Sequence, residues 1–394
     1  MSNRAEQRRV RMEQIGSWRK ELEALHDRIA PRFARPEVRV RAGRYLWGLL
    51  EPVERRNGWQ LAERIGELRP DGVQRLLNGT RWDADEVRDD LRAYVVEHLG
   101  DPAAVLVVDE TGFLKKGEKS VGVARQYSGT AGKVENCQIG VFLAYSTPRG
   151  ERAFLDRALY LPEKEWAEDG SRREAAGVPE EVRFATKGVL ARKMIERALE
   201  AEVPASWVTA DEVYGNDGAL RRWLEAQGRS YVLAVSRSHP LATLLSGSTR
   251  AEEIVAEAPP EAWQRLEVGS GSKGMRLYDW ARARLPYITE EGWTQWLLAR
   301  RSVSSPEQMA YYRAYAPRET PLAELARVAA IRWSIEECFE RAKGEVGLDH
   351  YEVRRWEGWH RHITLCLLAH AFLEVTRTRA NGEEEKGGHQ RRRS

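Results

Sequence analysis

A buried strand that runs directly into two carboxylates is the feature that most constrains this chain. In the stretch AAVLVVDETGFLKKG, residues 103–117, a run of apolar residues ends at Asp109 and Glu110. Charged side chains are rarely buried unless they are paired. A second apolar strand, in ASWVTADEVYG at 205–215, runs into Asp211 in the same way. Most acids at strand ends are solvated, but two such strands together indicate a divalent-metal site, because Mg²⁺ prefers oxygen ligands.

The order of predicted elements places both strands in an α/β protein with a mixed sheet. From Ala103 three strands form a meander, a fourth follows, and then helix, strand, helix and strand alternate before a late helix. Three antiparallel strands ahead of parallel ones match an RNase H-like core. In such a sheet the first and fourth core strands end side by side, and these are the strands that end in Asp109 and Asp211.

Shifts in composition divide the chain into five predicted segments. Residues 1–100 are predicted to be an all-α N-terminal DNA-binding domain, 101–236 the first part of the RNase H-like catalytic core, 237–321 a β-rich insertion, 322–376 the returning core helices, and 377–394 a disordered polar tail. Within the first segment, LAERIG followed by PDGVQRLLN loosely resembles a helix-turn-helix, a pattern that many small helical bundles share.

Composition limits the class of protein more than it identifies a partner. The 394 residues are 42% hydrophobic and 31% charged, with a net charge of +3. Residues 1–41 hold 11 Lys and Arg against 6 Asp and Glu; this excess suits phosphate contacts, although a basic solvated helix is the commoner explanation. The three cysteines form no metal-binding spacing, and the longest apolar run is too short to span a bilayer. We therefore expect a soluble cytoplasmic protein without a membrane partner.

The late helix supplies a third carboxylate. It contains AAIRWSIEECFERAKGEVGLDHYEVRRW, residues 329–356. At about 100° per residue, Glu336 lies about 40° and Lys343 about 20° from Arg332, so the three share one stripe beside an apolar one. An acid flanked by cations suits a site that holds a metal and a phosphate backbone. A salt bridge between Arg332 and Glu336 on a solvated helix is, taken alone, the commoner arrangement.

Together these residues resemble a DDE-type insertion-sequence transposase, of the cut-and-paste branch with a β-rich insertion before the catalytic Glu. The resemblance rests on Asp109 in VVDETGF, Asp211 in VTADEVYG, and the R-x3-E-x6-K spacing of Arg332, Glu336 and Lys343. It extends over nearly the whole chain, and the R-x3-E-x6-K element is its most specific part.

The resemblance implies a metal-dependent DNA recombinase. Asp109 would bridge two Mg²⁺ ions, for which Mn²⁺ can substitute, while Asp211 and Glu336 would each bind one of them. Water on one metal would cleave a phosphodiester at a transposon end, and the freed 3′-OH would attack target DNA. Arg332 and Lys343 would hold phosphates. The implied partners are double-stranded DNA, as terminal repeats and target, and a second copy of the chain in a homodimer at the bacterial nucleoid.

One position departs from the family pattern, and several neighbours of the site carry weaker expectations. The family has a Tyr three residues before the Arg, where this chain has Ala329, so hairpin and other excision routes both stay open. Successive strand residues face opposite ways, so Glu110 should point away from the metals. Lys115 and Lys116 on the turn after the first strand, and Lys133 in YSGTAGKVENCQ, are candidate DNA contacts, although turn solvation explains them equally well.

Two other functions fit the same residues. A sequence-specific DNA-binding protein derived from a transposase would bind ends without cutting, but it has no need of three acids. A stand-alone RNase H-like nuclease would need neither the insertion nor the N-terminal helices. End binding by residues 1–100 would separate the transposase from the nuclease. For the tryptophans of the insertion, core packing is expected over stacking on an extruded base.

Overall fold

A computed structural model describes the backbone of residues 2–243, 247–271 and 274–391, and the side chains of 16–242, 247–269 and 277–382. In this part of the chain, helices lie at both ends of the sequence and a large sheet lies between them. No helix of the described residues combines the length and the apolar character that a membrane crossing requires.

The first hundred residues are helical, as the sequence predicted. The helices are α1 (Ser2–Ile29), α2 (Pro36–Leu50), α3 (Gly58–Arg64), α4 (Asp71–Asn78) and α5 (Ala84–Leu99), with a 3₁₀ turn at Ala30–Arg32. Pro36 begins α2 with its fixed backbone angle. Asn57 caps α3, and Asp83 caps α5 by accepting a hydrogen bond from the Asp85 N–H. The pair α3 and α4 occupies the segment that resembles a helix-turn-helix.

The sheet is mixed and holds ten of the strands in the described residues. They are β1 (Val105–Leu114), β2 (Ala124–Ser128), β3 (Lys133–Ser146), β4 (Arg152–Tyr160), β5 (Trp207–Ala210), β6 (Ser230–Val235), β9 (Gln264–Gly271), β10 (Gly274–Arg284), β11 (Trp293–Ser302) and β12 (Met309–Pro317); β7 (Pro240–Thr243) and β8 (Gly247–Arg250) form a separate hairpin. The order is β2-β3-β1-β5-β6-β12-β11-β10-β9, with β4 also paired to β3. An antiparallel β1–β3 pair and parallel β1–β5–β6 pairs confirm the predicted RNase H-like plan.

The predicted β-rich insertion continues the core sheet. β12 pairs antiparallel with β6, so β9–β12 extend the sheet that carries β1 and β5. Trp280, Trp296 and Tyr312 are buried in the same hydrophobic core as the central strands, so core packing is confirmed for these two tryptophans. A smaller apolar cluster lies under the β7–β8 hairpin and includes Leu241 and Leu297.

The remaining helices cover both faces of the sheet. They are α6 (Gly170–Ala176), α7 (Lys187–Glu200), α8 (Glu212–Gly215), α9 (Gly218–Ala226), α10 (Ala251–Ala256), α11 (Leu322–Ile331), α12 (Ser334–Val346) and α13 (Trp356–Arg391), with a π-helical turn at Glu163–Ala167 and a 3₁₀ turn at Pro260–Ala262. Lys187 of α7 contacts Glu110 and Lys343 of α12 contacts Thr111. Consecutive strand residues face opposite sides, so α7 and α12 lie on opposite faces of β1.

Two expectations about the C-terminal helices need correction. The predicted single helix over 329–356 is interrupted between Ile331 and Ser334, and it ends at Val346 because Gly347 adopts a left-handed conformation (φ +66°). The tail at 377–394 was predicted to be disordered, but the α13 backbone continues to Arg391, and 392–394 lie outside the described residues. Ion pairs from Arg377 to Glu345 and from Arg379 to Glu21 fasten the start of this segment.

Candidate active site

Asp109 is the first residue along β1 that is not fully buried. The four residues before it are fully buried, whereas Asp109 and Glu110 are half-buried. The Asp109 side chain is still only 13% exposed, and its Oδ1 accepts a 2.8 Å hydrogen bond from the Glu110 N–H. A carboxylate this enclosed requires a positive partner to stay ionised.

Asp211 lies beside Asp109 because β1 and β5 are parallel and in register. Val108 is paired with Ala210. Asp109 and Asp211 are the residues that directly follow this pair in the sequence. Adjacent strands are about 4.8 Å apart. The Asp211 Oδ1 accepts a 2.9 Å hydrogen bond from the Val213 N–H and so caps α8. This is the side-by-side placement that the order of elements predicted.

The two aspartates resist ionising together. Burial, reinforced by the charge of Asp211, raises the pKa of Asp109 to about 8. Burial, reinforced by the charge of Glu110, also raises the pKa of Asp211. Removing like charges from water disfavours the charged form of each. A cation close to these two carboxylates would therefore stabilise their ionised forms.

Arg332 supplies positive charge to the site from the join between α11 and α12. Its Nη1 lies 3.8 Å from Asp109 Oδ2 and its Nη2 lies 3.6 Å from Glu336 Oε1. The guanidinium also stacks over the Trp333 ring at 4.3 Å. Arg332 thus connects the acid of β1 to the acid of α12. Ala329, where the family pattern has a Tyr, is buried in α11.

Lys343 approaches the same strand two residues beyond Asp109. Its Nζ donates a 2.8 Å hydrogen bond to Thr111 Oγ1 and lies 3.5 Å from Thr130 Oγ1. Burial lowers the pKa of Lys343. Since alternate strand residues share a face, Asp109 and Thr111 point to the same side, and Lys343 brings a cation to the side where Arg332 also lies.

The opposite side of the strand holds a polar cluster that sequence reasoning missed. Glu110 accepts 2.5 Å hydrogen bonds from the Lys187 Nζ and from the Tyr214 hydroxyl. These bonds tie β1 to the start of α7 and to α8, immediately behind the two aspartates. One signal was present, because Lys187 occupies the first turn of a helix, where the helix dipole disfavours a cation. A residue in that position needs another reason to be there, which Glu110 provides.

The three lysines predicted as further DNA contacts lie in different environments. Lys115 is half-buried: its Nζ lies 3.5 Å from the centre of the Tyr351 ring and donates to the Tyr351 carbonyl at 3.1 Å. Burial lowers its pKa to about 8. Lys116 is exposed, and Lys133 is exposed with a 2.8 Å ion pair to Glu135. Lys115 thus makes an internal contact, and a DNA contact stays a prediction for Lys115, Lys116 and Lys133.

The donor set suits a hard divalent cation. Asp109 and Asp211 offer only carboxylate oxygens, which Mg²⁺ and Mn²⁺ prefer. Within the side chains that the structure describes, no group of three or more His, Cys, Asp or Glu is positioned to hold a metal ion. The side chain of Glu336 is half exposed, with Arg332 between it and Asp109. The adjacent aspartates fit such a cation, and the third acid lies on the far side of an arginine.

Comparison with known proteins gives two matches. The family model described as DDE superfamily endonuclease matches residues 28–283. A curated relative, the probable transposase for insertion sequence element IS701 from Microchaete diplosiphon, is 27% identical over 207 residues, which are 52% of this chain and 51% of that protein. The chain thus spans about half the length of this relative. The family match includes Asp109 and Asp211 and ends before Glu336.

Proposed function

We propose that this chain, which belongs to the DDE superfamily endonucleases, is a DNA transposase that cleaves transposon ends and joins them to target DNA. The observation that carries the proposal is the adjacency of Asp109 and Asp211 at the ends of parallel β1 and β5, where burial raises the pKa of both carboxyl groups. The relative named for an insertion-sequence element supports the same function.

In the proposed mechanism, Asp109 and Asp211 would hold the metal ions and Glu336 would complete the ligand set. When bound, two ions of Mg²⁺ or Mn²⁺ supply an activated water and stabilise the charge of the phosphoryl transition state. Glu336 becomes available as Arg332 withdraws from between it and Asp109. Phosphoryl transfer is catalysed mainly by positioning and charge, so the rigid support of Asp109 by β1 is itself part of the mechanism.

Arg332 and Lys343 are the proposed phosphate contacts. Both cations approach the face of β1 that carries Asp109, at 3.8 Å from its carboxylate and at 2.8 Å from Thr111 respectively. An arginine that leaves a carboxylate can bind phosphate through two parallel N–H donors. Duplex DNA and a homodimer that holds two ends belong to this proposal, and strand transfer distinguishes the transposase from a nuclease of the same fold.

Cleavage of a labelled duplex, copied from the terminus of the element that carries the gene, tests the proposal. Asp109→Asn, Asp211→Asn and Glu336→Gln are each expected to keep DNA binding and to lose cleavage in Mg²⁺ by about 10³-fold or more, since a metal contributes several kcal/mol to the transition state and about 1.4 kcal/mol is tenfold. Glu337→Gln is the matched control, because Glu337 follows on the same helix and pairs with Arg152 instead.

The products and the variants separate the outcomes. Joining of the cut end to a target plasmid supports the transposase, whereas cutting without joining leaves only a nuclease. Binding without cutting by the wild type would make the chain a DNA-binding protein. Cleavage that survives Glu336→Gln, or that is lost equally with Glu337→Gln, would overturn the proposed ligand set.

A further inference from the structure

A deep groove lies along the outer edge of β4, away from the aspartates. We call it the edge groove. It encloses about 1000 Å³ between the α4–α5 loop, β4, α7 and the first turns of α13. It is therefore formed jointly by the N-terminal helices and the catalytic sheet.

The charge of the edge groove is positive. Its lining has seven Arg and Lys side chains against four Asp and Glu. Three of the four acids are already engaged: Asp83 caps α5, Asp85 pairs with Arg157 at 2.8 Å, and Glu357 pairs with Arg361 at 3.3 Å. Four of the seven cations, Arg88, Arg157, Arg197 and Arg361, are in ion pairs as well, so the positive charge that an anionic partner can meet is that of Arg81, Arg183 and Lys193.

The floor of the groove is a buried ionic network. Arg157 is 1% exposed on its side chain and lies between Asp85 and Thr364, to which it donates at 2.8 Å each. Asp156, equally buried, accepts from Arg197 of α7 at 2.9 Å. These contacts fix β4, α5, α7 and α13 relative to one another, so the groove is a built feature of the fold.

The rim carries the cations that a partner can reach. Arg81, Arg183 and Lys193 are exposed and come from three separate segments around the opening. Arg183 donates to the Glu180 carbonyl. Arg81 and Lys193 make no hydrogen bond or ion pair with any side chain in the described part of the chain. Phe184 adds an exposed ring beside them.

The floor of the edge groove and Asp109 lie at the same height along the strands of the sheet. Asp109 is paired with Phe142, and Phe142 with Arg157, so the floor lies two strands from Asp109, or about 10 Å between backbones. On the opposite face, α7 starts at Lys187, which contacts Glu110. Lys193 lies six residues further along the helix, about 9 Å. Both lengths, across the sheet and along α7, are well below one turn of duplex DNA, which is about 34 Å.

We propose that the edge groove binds the phosphate backbone of the DNA duplex that flanks the cleaved bond, with Arg81, Arg183 and Lys193 as the contacts. The inference rests on the proposed function and adds a second surface to it. Duplex backbone is favoured over a single strand, because single-strand sites stack successive bases on aromatic rings, whereas this rim presents mainly cations. The groove then couples the N-terminal helices to the position of the scissile bond.

Binding of a fluorescein-labelled 30-bp duplex of mixed sequence to the full chain, measured across a salt series, tests the inference. The triple variant Arg81→Ala, Arg183→Ala, Lys193→Ala is expected to lose about tenfold or more in affinity at low salt. Its slope of log affinity against log salt should be shallower by about 0.9 for each phosphate that the variant no longer neutralises. The matched control removes three exposed arginines that do not line the groove, one on α9, one on β10 and one after β12: Arg222→Ala, Arg284→Ala and Arg318→Ala.

Each outcome decides one question. An unchanged salt slope in the groove variant, or an equal loss in the control, overturns the inference while wild-type cleavage keeps the proposed function intact. Competition by a single strand of equal length as effective as by duplex overturns the duplex as occupant. A wild type that binds no DNA at all overturns the proposed function itself. Unfolding curves that match the wild type exclude a folding defect as the cause of weaker binding.

Discussion

At the scale of single residues, Arg332 supplies positive charge to the acids of the site. Asp109 and Asp211 both have raised pKa values because burial disfavours their charged forms. Arg332 lies within 4 Å of Asp109 and of Glu336, so it places a positive charge next to both acids. In the mechanism that we propose, the same side chain balances the acids without metal and turns to a phosphate when metal ions bind them.

A second feature at the scale of single residues is His370, a buried histidine of α13. Both of its ring nitrogens lack a hydrogen-bond partner within the described residues, and the ring packs against Phe154 at 5.6 Å. Each unsatisfied buried polar group costs about 1–3 kcal/mol. His370→Leu is therefore expected to raise the free energy of unfolding at pH 7 by about 1–2 kcal/mol, measured by urea denaturation.

The pH dependence of the same variant follows from linkage. Burial lowers the pKa of His370 to about 3, below its ordinary value of 6.5, so the folded state binds fewer protons between these values and stability falls as the pH drops from 6.5 toward 3. His370→Leu should lose part of this acid sensitivity. His362→Leu is the control for stability at pH 7: it removes a 2.7 Å hydrogen bond to the buried Tyr45 hydroxyl and should destabilise the chain there, although burial also lowers the pKa of His362 to about 3 and this variant should lose acid sensitivity as well. Equal changes in the free energy of unfolding at pH 7 in the two variants would contradict this account.

The sequence was sufficient to predict that Asp109 and Asp211 lie side by side, but not which residues surround them. Asp109 and Asp211 were predictable because parallel strands of one sheet end side by side. The hydrogen bonds of Lys187 and Tyr214 to Glu110 connect residues 77 and 104 positions apart, and no local pattern encodes such pairings. The contact of Lys115 with Tyr351 was unpredictable for the same reason.

At the scale of elements, the interruption between α11 and α12 determines where Arg332 points. The sequence there contains neither Gly nor Pro. Helical periodicity therefore continues through this region, and it predicted a single helix with Arg332 and Glu336 on one face. The backbone at Trp333 departs from regular helix (ψ −16°), and Arg332 can reach both Asp109 and Glu336 from the join. Tertiary contacts with β1 overrode a local propensity that favoured one helix.

The end of α12 offers a paired test. Gly347 has φ +66°, and a Cβ there would lie 2.8 Å from side-chain atoms of Arg56 and 3.0 Å from His350 Nδ1. Gly347→Ala should therefore lower the free energy of unfolding by about 1–3 kcal/mol through left-handed strain and displacement of Arg56. Gly344→Ala should raise it by about 0.5–1 kcal/mol, because a Cβ there meets nothing within 4 Å and alanine favours helix. Thermal and urea unfolding of both variants measure the difference; a shift of the same sign in both would contradict it.

At the scale of the whole molecule, the catalytic sheet and the inserted strands form one structure. The alternating pattern and turn residues predicted strands in the insertion, which the structure contains, but they predicted a segment separate from the core sheet. The pairing of β6 with β12 joins residues about 80 positions apart in sequence, and a register at that separation has no local signature. The core that contains β1 also contains Trp280, 0% exposed and stacked 5.8 Å from Tyr312.

Because the insertion and the catalytic sheet share one core, we expect a destabilising substitution in the insertion to destabilise β1 as well. Trp280→Ala leaves a large cavity and is expected to lower the free energy of unfolding by about 3–5 kcal/mol, with faster hydrogen exchange in β1 and α13 as well as in β10. Trp263→Ala is the control, because Trp263 is half-buried beside the smaller cluster and stacks on Arg301; its effect should be smaller and confined to the insertion. If exchange in β1 stayed unchanged in Trp280→Ala, the insertion would be an independent unit, since cooperative units open together. The expected result would instead mean that the strands following residue 236 help to hold Asp109 in place.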